Sequence, residues 1–272
     1  MQYKITPPTH IEDTILLPAS KSISNRALII HALAGGNIMP ENLSTCDDTA
    51  VIARAFKDNP YEIDIMAAGT AMRFMTAYLS VTEGEHVLTG TERMKQRPIK
   101  ILVDALRFLG ADIQYTGEEG FPPLLIKGKK LKGGSVEVAG NVSSQYVSAL
   151  LMIGPTLEKG LELKLLGNVI SRPYIDLTLN LMHEYGADAE WTDVDTITIR
   201  PKRYEERSYT IENDWTAASY WYAILTLLND RKSYIRFPGL KNGSRQGDSA
   251  AKYIFSLLGV KTTFADKEMD EL

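Results

Sequence analysis

Four times along this chain a small or polar cluster opens a stretch that is apolar on nearly every face. The clusters are Lys21-Ser22, Gly69-Thr70, Ser143-Ser144 and Trp215-Thr216. Each is followed by a one-sided helical pattern that starts at Asp47-Asp48, Arg97-Pro98, Arg172-Pro173 or Gly247-Asp248. Pairing Ser22, Thr70, Ser144 and Thr216 with Asp48, Pro98, Pro173 and Gly247 gives offsets of 26, 28, 29 and 31 residues. Such a period constrains the fold more than any single motif, because each unit must then be one supersecondary piece. Pro98 and Pro173 suit a first helical position, and Gly35-Gly36 suits the end of the first helix.

The second patterns also close alike, with Leu109-Gly110-Ala111-Asp112, Tyr185-Gly186-Ala187-Asp188 and Leu258-Gly259-Val260-Lys261. A strand is expected after each: Ile113 to Tyr115, Ala189 to Trp191 and Thr262 to Phe264. Ile99, Leu102, Val103, Leu106 and Leu109 form a single stripe at helical spacing. Tyr146 to Ile153 and Ala217 to Leu228 are apolar all round and are expected to be buried. Each unit therefore reads as strand, buried helix, strand, amphipathic helix, strand, which makes the fold class α/β. Three units fill residues 20–212 as one domain. Residues 1–19, with two short strand-like pieces about Pro7-Pro8, join 213–272 in a second domain. That domain holds a fourth unit and a mostly acidic tail after Phe264, and it reads as truncated or degenerate.

A net charge of −4 argues against a general nucleic-acid or membrane-surface binder, so local basic clusters matter more than the total. No run approaches a membrane span, and Met1 to Thr9 lacks a signal-peptide core. The lone Cys46 rules out an intrachain disulfide, and His10, His31, His86 and His183 lack metal-binding spacing. The expectation is a cytoplasmic protein with no metal site.

If the all-apolar helices of the first domain pack side by side, their N-termini emerge together. Ser20 to Arg26, Ala67 to Arg73 and Asn141 to Gln145 would then share one face, joined by Arg93 to Arg97 and Ser171 to Tyr174. Lys21, Arg26, Arg73, Arg93, Lys95, Arg97 and Arg172 supply positive charge there. Helix dipoles, free N–H groups and guanidinium forks suit a ligand carrying phosphate and carboxylate groups. Ser22 and Arg26, four apart on a helix, can face one anion. Each feature also has a plainer reading. Ser20, Ser22, Asp47 and Asp214 can be caps. Arg97 and Arg172 can be solvated loop cations, Gly69-Thr70 a close helix approach, and Trp215, Tyr220 and Trp221 core.

Leu17-Pro-Ala-Ser-Lys-Ser-Ile-Ser-Asn-Arg-Ala-Leu28 resembles the first signature of the EPSP synthase (3-phosphoshikimate 1-carboxyvinyltransferase) family. Ala68-Gly-Thr-Ala-Met-Arg73, Leu88 to Pro98, Val142-Ser-Ser-Gln-Tyr146 and Ser171-Arg-Pro-Tyr-Ile-Asp176 resemble its later motifs, in order. The resemblance implies an inverse α/β barrel fold, two domains of three repeated units each. It also implies transfer of the enolpyruvyl group of phosphoenolpyruvate to the 5-hydroxyl of shikimate 3-phosphate, a step towards aromatic amino acids.

No metal or organic cofactor is implied, and a monomer without nucleic-acid or membrane partners is expected. By motif, Lys21, Ser22, Arg26, Ser143, Ser144, Gln145, Ser171 and Tyr174 would hold shikimate 3-phosphate. Lys21, Gly69, Arg97 and Gln145 would hold phosphoenolpyruvate, with Lys21 catalytic. Ala67 stands where the family has Asn, which removes one side-chain contact to phosphoenolpyruvate, and Ala19 replaces a Gly. The family's later carboxylates and cations lie beyond this chain, so binding with little turnover is expected. Two alternatives are a non-catalytic binder of phosphorylated hydroxy acids and a UDP-N-acetylglucosamine enolpyruvyl transferase. Arg26→Ala is expected to abolish shikimate 3-phosphate binding and leave the fold intact.

Overall fold

The computed structural model describes residue 4 and residues 6–265. The chain divides into two compact units, Lys21–Ile211 and Met1–Ser20 with Glu212–Leu272. In chain order the elements begin with β1 (Glu12–Thr14), α1 (Lys21–Ala34), α2 (Asp47–Asp58), β2 (Glu62–Asp64), α3 (Gly69–Val81) and β3 (Gly84–Thr89). Next come α4 (Glu92–Lys95), α5 (Lys100–Phe108), β4 (Asp112–Tyr115), β5 (Leu124–Gly128), β6 (Gly134–Ala139) and α6 (Ser144–Ile153). The chain continues through β7 (Leu161–Leu166), α7 (Arg172–Glu184), β8 (Ala189–Trp191), β9 (Thr196–Ile199) and α8 (Trp215–Leu228). It finishes with β10 (Tyr234–Arg236) and α9 (Ala251–Ser256).

Within Lys21–Ile211 the helices α1, α3 and α6 pack on one another. Their sequences make this necessary, because a helix apolar on every face has no side to give to water. Tyr146 to Ile153 are all buried, as expected. The hydroxyls inside α3 are paid for locally. Thr76 Oγ1 donates to the Met72 carbonyl at 2.7 Å, and Ser80 Oγ donates to that of Thr76 at 2.7 Å. The expected stripe of α5 also faces inward, with Ile99, Leu102, Val103, Leu106 and Leu109 buried.

Two four-stranded sheets flank these helices, in the orders β2-β3-β5-β4 and β6-β7-β9-β8. In each, the first pair is parallel and the other two are antiparallel. The parallel pairs need a crossover, and α3 and α6 supply it. Strand β7 shows why one sheet face is core. Leu161, Leu163 and Leu165 are buried while Glu162, Lys164 and Leu166 face outward. Helices α1 and α2 have no such sheet among the described residues; an isolated parallel bridge joins Glu41 to Thr210 beside them.

The other unit is smaller. Strands β1 and β10 pair in parallel, with Glu12 opposite Tyr234. Leu17, Trp215, Ala218 and Tyr222 form its buried core, with Trp221, Phe237, Phe255 and Phe264 packed on it. Trp215 Nε1 donates to Glu212 Oε1 at 2.9 Å, and that carboxylate also accepts from the Lys241 amide and the Ser244 hydroxyl. A buried carboxylate with three donors is thus satisfied without a cation.

Two expectations fail in this unit. Residues Thr262 to Phe264 form no strand; Phe264 instead lies against Trp215, ring centres 6.4 Å apart. Helix α8 is not buried all round: Tyr220 is 69% and Leu227 85% exposed. The cause is a lack of neighbours rather than of apolarity. Each of α1, α3 and α6 has two helices of its own kind against it, whereas α8 packs on α9 and the 3₁₀ turn before it. Leu227→Lys should therefore change stability by no more than about 0.5 kcal/mol. Leu28→Ala, in α1, should cost about 2–5 kcal/mol. Urea unfolding of the two variants checks the contrast. Of the two strand-like pieces expected about Pro7-Pro8, the first lies largely outside the described residues, as does the acidic tail, and β1 stands in the second.

Candidate functional site

Side-chain hydrogen bonds join the starts of α2, α3 and α6, and others tie α1 to the middle of α6 and α7. Gln145 Nε2, in the first turn of α6, donates to Thr70 Oγ1 of α3 at 3.2 Å. The Thr70 amide donates to Asp48 Oδ1 of α2 at 3.3 Å. From α1, Arg26 donates through Nε to Thr178 Oγ1 of α7 at 2.7 Å and through Nη2 to Ser148 Oγ of α6 at 2.9 Å. Helix α6 is capped by Ser143, whose Oγ accepts from the Gln145 amide.

Arg26 is deeper than its motif suggests. It is 3% exposed, its Nη1 donates to the Ser22 carbonyl at 2.8 Å, and its guanidinium lies 5.3 Å from the Phe74 ring centre. Thr178 gives its own proton to the Tyr174 carbonyl at 2.8 Å, so Ser148 must be the donor in their 2.8 Å contact. The network is closed, with each hydroxyl assigned. Burial pushes the Arg26 guanidinium down to about 10, and Tyr174 acts in the opposite direction. The expectation that Arg26→Ala spares the fold is revised: Arg26 is a member of the core.

Around it, Lys21 is exposed and Ser22 half-buried at the first turn of α1. Ser171 and Tyr174 are exposed at the start of α7, and Ser144 is half-buried at that of α6. Ser171 holds φ +57° and makes no capping bond. A non-glycine residue in the left-handed region is strained, and such strain gathers where ligands are held. Arg172 leaves the group: its guanidinium stacks on Trp191 at 4.0 Å and its Nη1 bonds to the Val194 carbonyl.

The second half of the cluster is built on the start of α3. Helix α4, unseen in the sequence, occupies part of the expected Arg93 to Arg97 loop, and the Arg97 amide bonds to the Met94 carbonyl at 2.9 Å. The Arg97 guanidinium rests on Gly69 so closely that a Cβ there would fall 2.2 Å from Nη1. Glycine is required by the arginine. Next to it lies a cavity of about 270 Å³ lined by Ala67, Arg93, Met94 and Arg97. Burial, then Arg73, lowers the Arg97 guanidinium from its ordinary value. Arg73 itself is 4% exposed and is spent inward, on the Gly69 and Pro98 carbonyls and over the Tyr146 ring. Tyr146 also donates to the Pro98 carbonyl at 2.7 Å, so the backbone beside Arg97 is fixed from two sides.

No carboxylate among the described residues forms an ion pair with Lys21, Arg26, Arg73, Arg93 or Arg97. Cations gathered at helix N-termini without ion-pair partners are an arrangement suited to anions. The edge of that arrangement is held by Gly90, where a Cβ would lie 2.5 Å from the Met66 carbonyl oxygen. Gly90→Ala should cost about 1–3 kcal/mol, since backbone must move; a thermal melt checks it. Among the described residues no group of His, Cys, Asp and Glu could hold a metal ion, and no helix is long and apolar enough to cross a membrane.

The EPSP synthase (3-phosphoshikimate 1-carboxyvinyltransferase) family model matches residues 5–59 and 50–271. The chain belongs to the EPSP synthase family. It is 56% identical over 266 residues to a 3-phosphoshikimate 1-carboxyvinyltransferase of Bacteroides fragilis, covering 98% of this chain and 64% of that one. A relative of the same name from Actinobacillus pleuropneumoniae is 36% identical over 293 residues, covering 96% and 67%. The chain thus spans less than two thirds of the length of the Bacteroides relative. An EPSP synthase structure from Acinetobacter baumannii superposes with a TM-score of 0.69 at 23% identity, over 79% of this chain and 53% of that one. That likeness is one of fold, and it places this α/β architecture with its mixed sheets among EPSP synthases.

Sequence reasoning missed Asp48, Ser148 and Thr178. The signal for the last two was available. Ser148 is a hydroxyl inside an all-apolar run and Thr178 sits on a buried stripe, so both needed partners.

Proposed function

We propose that this chain carries the shikimate 3-phosphate half and part of the phosphoenolpyruvate half of an enolpyruvyl transferase site. The reaction is transfer of the enolpyruvyl group to the 5-hydroxyl of shikimate 3-phosphate. The observation that carries the reading is the Arg97 guanidinium on Gly69 at the start of α3, beside the arginine-lined cavity. A small dianion seated there would meet backbone N–H groups and a guanidinium fork at once. Lys21, Ser22, Arg26, Ser143, Ser144, Gln145, Ser171 and Tyr174 are assigned to shikimate 3-phosphate. Lys21, Gly69, Arg97 and Gln145 are assigned to phosphoenolpyruvate, Lys21 next to the reacting carbon. The relatives' names favour this over a nucleotide-sugar enzyme or a mere binder.

The chemistry asks for proton delivery to the phosphoenolpyruvate methylene and addition of the hydroxyl at the neighbouring carbon. The tetrahedral adduct then loses phosphate and a methyl proton, which leaves the enol ether. Pre-set cations lower the cost of bringing two polyanions together and stabilise charge on the departing phosphate. Three repeated units in residues 20–212, and part of an inverse α/β barrel continued in 1–19 and 213–272, complete the proposal. The protein is read as a cytoplasmic monomer.

Calorimetry on the 272-residue chain is the test. Shikimate 3-phosphate should bind, and a phosphate-release assay should show little turnover. Absence of binding overturns the site assignment, and full turnover overturns the view that the site is incomplete.

A further inference from the structure

Asp48 brings a carboxylate into a cluster otherwise built of cations, and none of the assignments above gives it a role. It is half-buried at the second residue of α2 and forms no ion pair among the described residues. Its Oδ1 accepts the Thr70 amide, one of the N–H groups that the first turn of α3 cannot satisfy within the helix. Thr70, nearly buried, turns its Oγ1 to Gln145 Nε2 at 3.2 Å. Asp48, Thr70 and Gln145 therefore form one relay across the starts of α2, α3 and α6. The relay ends at the side chain assigned above to both ligands. It also passes directly beside Gly69, whose face carries Arg97.

We propose that Asp48 is a positioning residue of the anion site: by holding the Thr70 amide it sets the start of α3 and, through the Thr70 hydroxyl, the orientation of the Gln145 amide. The inference rests on the reading of this cluster as the substrate site. With Nε2 engaged by Thr70, the Gln145 carboxamide has a fixed rotation before any ligand arrives. Such preorganisation matters, because a polar group that must be turned after binding loses part of its binding energy to ordering. The carboxylate has a second use. Arg97 is already opposed by Arg73 and Arg93, and the negative charge of Asp48 works against that repulsion.

Two variants separate hydrogen bonding from charge. Asp48→Asn keeps an acceptor for the Thr70 amide and removes the charge; Asp48→Ala removes both. In ligand-free protein, Asp48→Ala should speed hydrogen exchange at the Thr70 amide by about 10-fold and shift the Gln145 side-chain amide resonances. Asp48→Asn should restore both. Thr70→Val should release Gln145 while leaving the Thr70 amide protected, and it serves if the alanine variant does not fold. Titration of phosphoenolpyruvate in the presence of shikimate 3-phosphate should show about 10-fold weaker binding for Asp48→Ala and a smaller loss for Asp48→Asn. Unchanged exchange and resonances in Asp48→Ala overturn the proposal, as does an asparagine variant that behaves like alanine. If the wild-type protein binds neither ligand, the functional reading fails, while the exchange and resonance data still decide the role of Asp48.

Discussion

Replacing Gly69 by alanine is expected to weaken phosphoenolpyruvate binding by about 10- to 100-fold and to leave shikimate 3-phosphate binding within about twofold. The added methyl would stand 2.2 Å from Arg97 Nη1 and 2.6 Å from Cζ. Only the far end of a flexible side chain is in the way, so the fold can yield without harm. What yields is the guanidinium, which must leave the start of α3 and with it the cavity it lines. A charged hydrogen bond to an anion is worth about 1.5–3 kcal/mol, hence the size of the effect. Calorimetry with each ligand in turn measures it. Equal loss for both ligands would mean that the helix start itself had been damaged, and no loss would mean that Arg97 does not contact phosphoenolpyruvate.

Arg26→Ala should act on stability first. The change removes bonds to Thr178, Ser148 and the Ser22 carbonyl, and it empties a space against Phe74. Burying a guanidinium without a carboxylate is itself costly, which offsets part of the loss. A net destabilisation of about 2–5 kcal/mol is expected. Urea unfolding should show an earlier midpoint with little change in slope. Arg26→Lys should recover only part of it, because an ammonium cannot reproduce three directed contacts from a planar fork. A midpoint that does not move in the alanine variant would show that Ser148 and Thr178 satisfy each other without the arginine.

Much of the architecture could be read from residue pattern, and the failures have a common cause. The run Tyr146 to Ile153 and the run Ala217 to Leu228 look alike in sequence, yet the first is buried and the second leaves Tyr220 and Leu227 in water. Apolarity records what a helix needs and says nothing about whether a neighbour is present to supply it. The same holds for charge. Arg172 and Arg97 both precede a proline and read alike, but an aromatic ring, Trp191, lies within reach of the first and a glycine under the second. Helix α4 was hidden because four residues carry too little periodicity to register. Asp48 was hidden in a different way. A carboxylate near a helix start has the ordinary explanation of a cap, and its bond to a second helix, α3, is a fact of tertiary geometry alone.

The two sheets share one strand order, and each encloses a crossover helix whose first turn enters the cluster. On the proposed assignment, ligand recognition resides in the module itself rather than being added to it. A copy of such a module brings its own helix start to the common face, and the hydroxyl, amide or arginine displayed there can drift while the strands stay constant. Divergence between Gly69-Thr70 and Ser144-Gln145 at equivalent places is what that independence would leave behind. On that assignment, stability and recognition are divided along the length of the same helix: the first turn faces the ligands, and the remainder is held by the core.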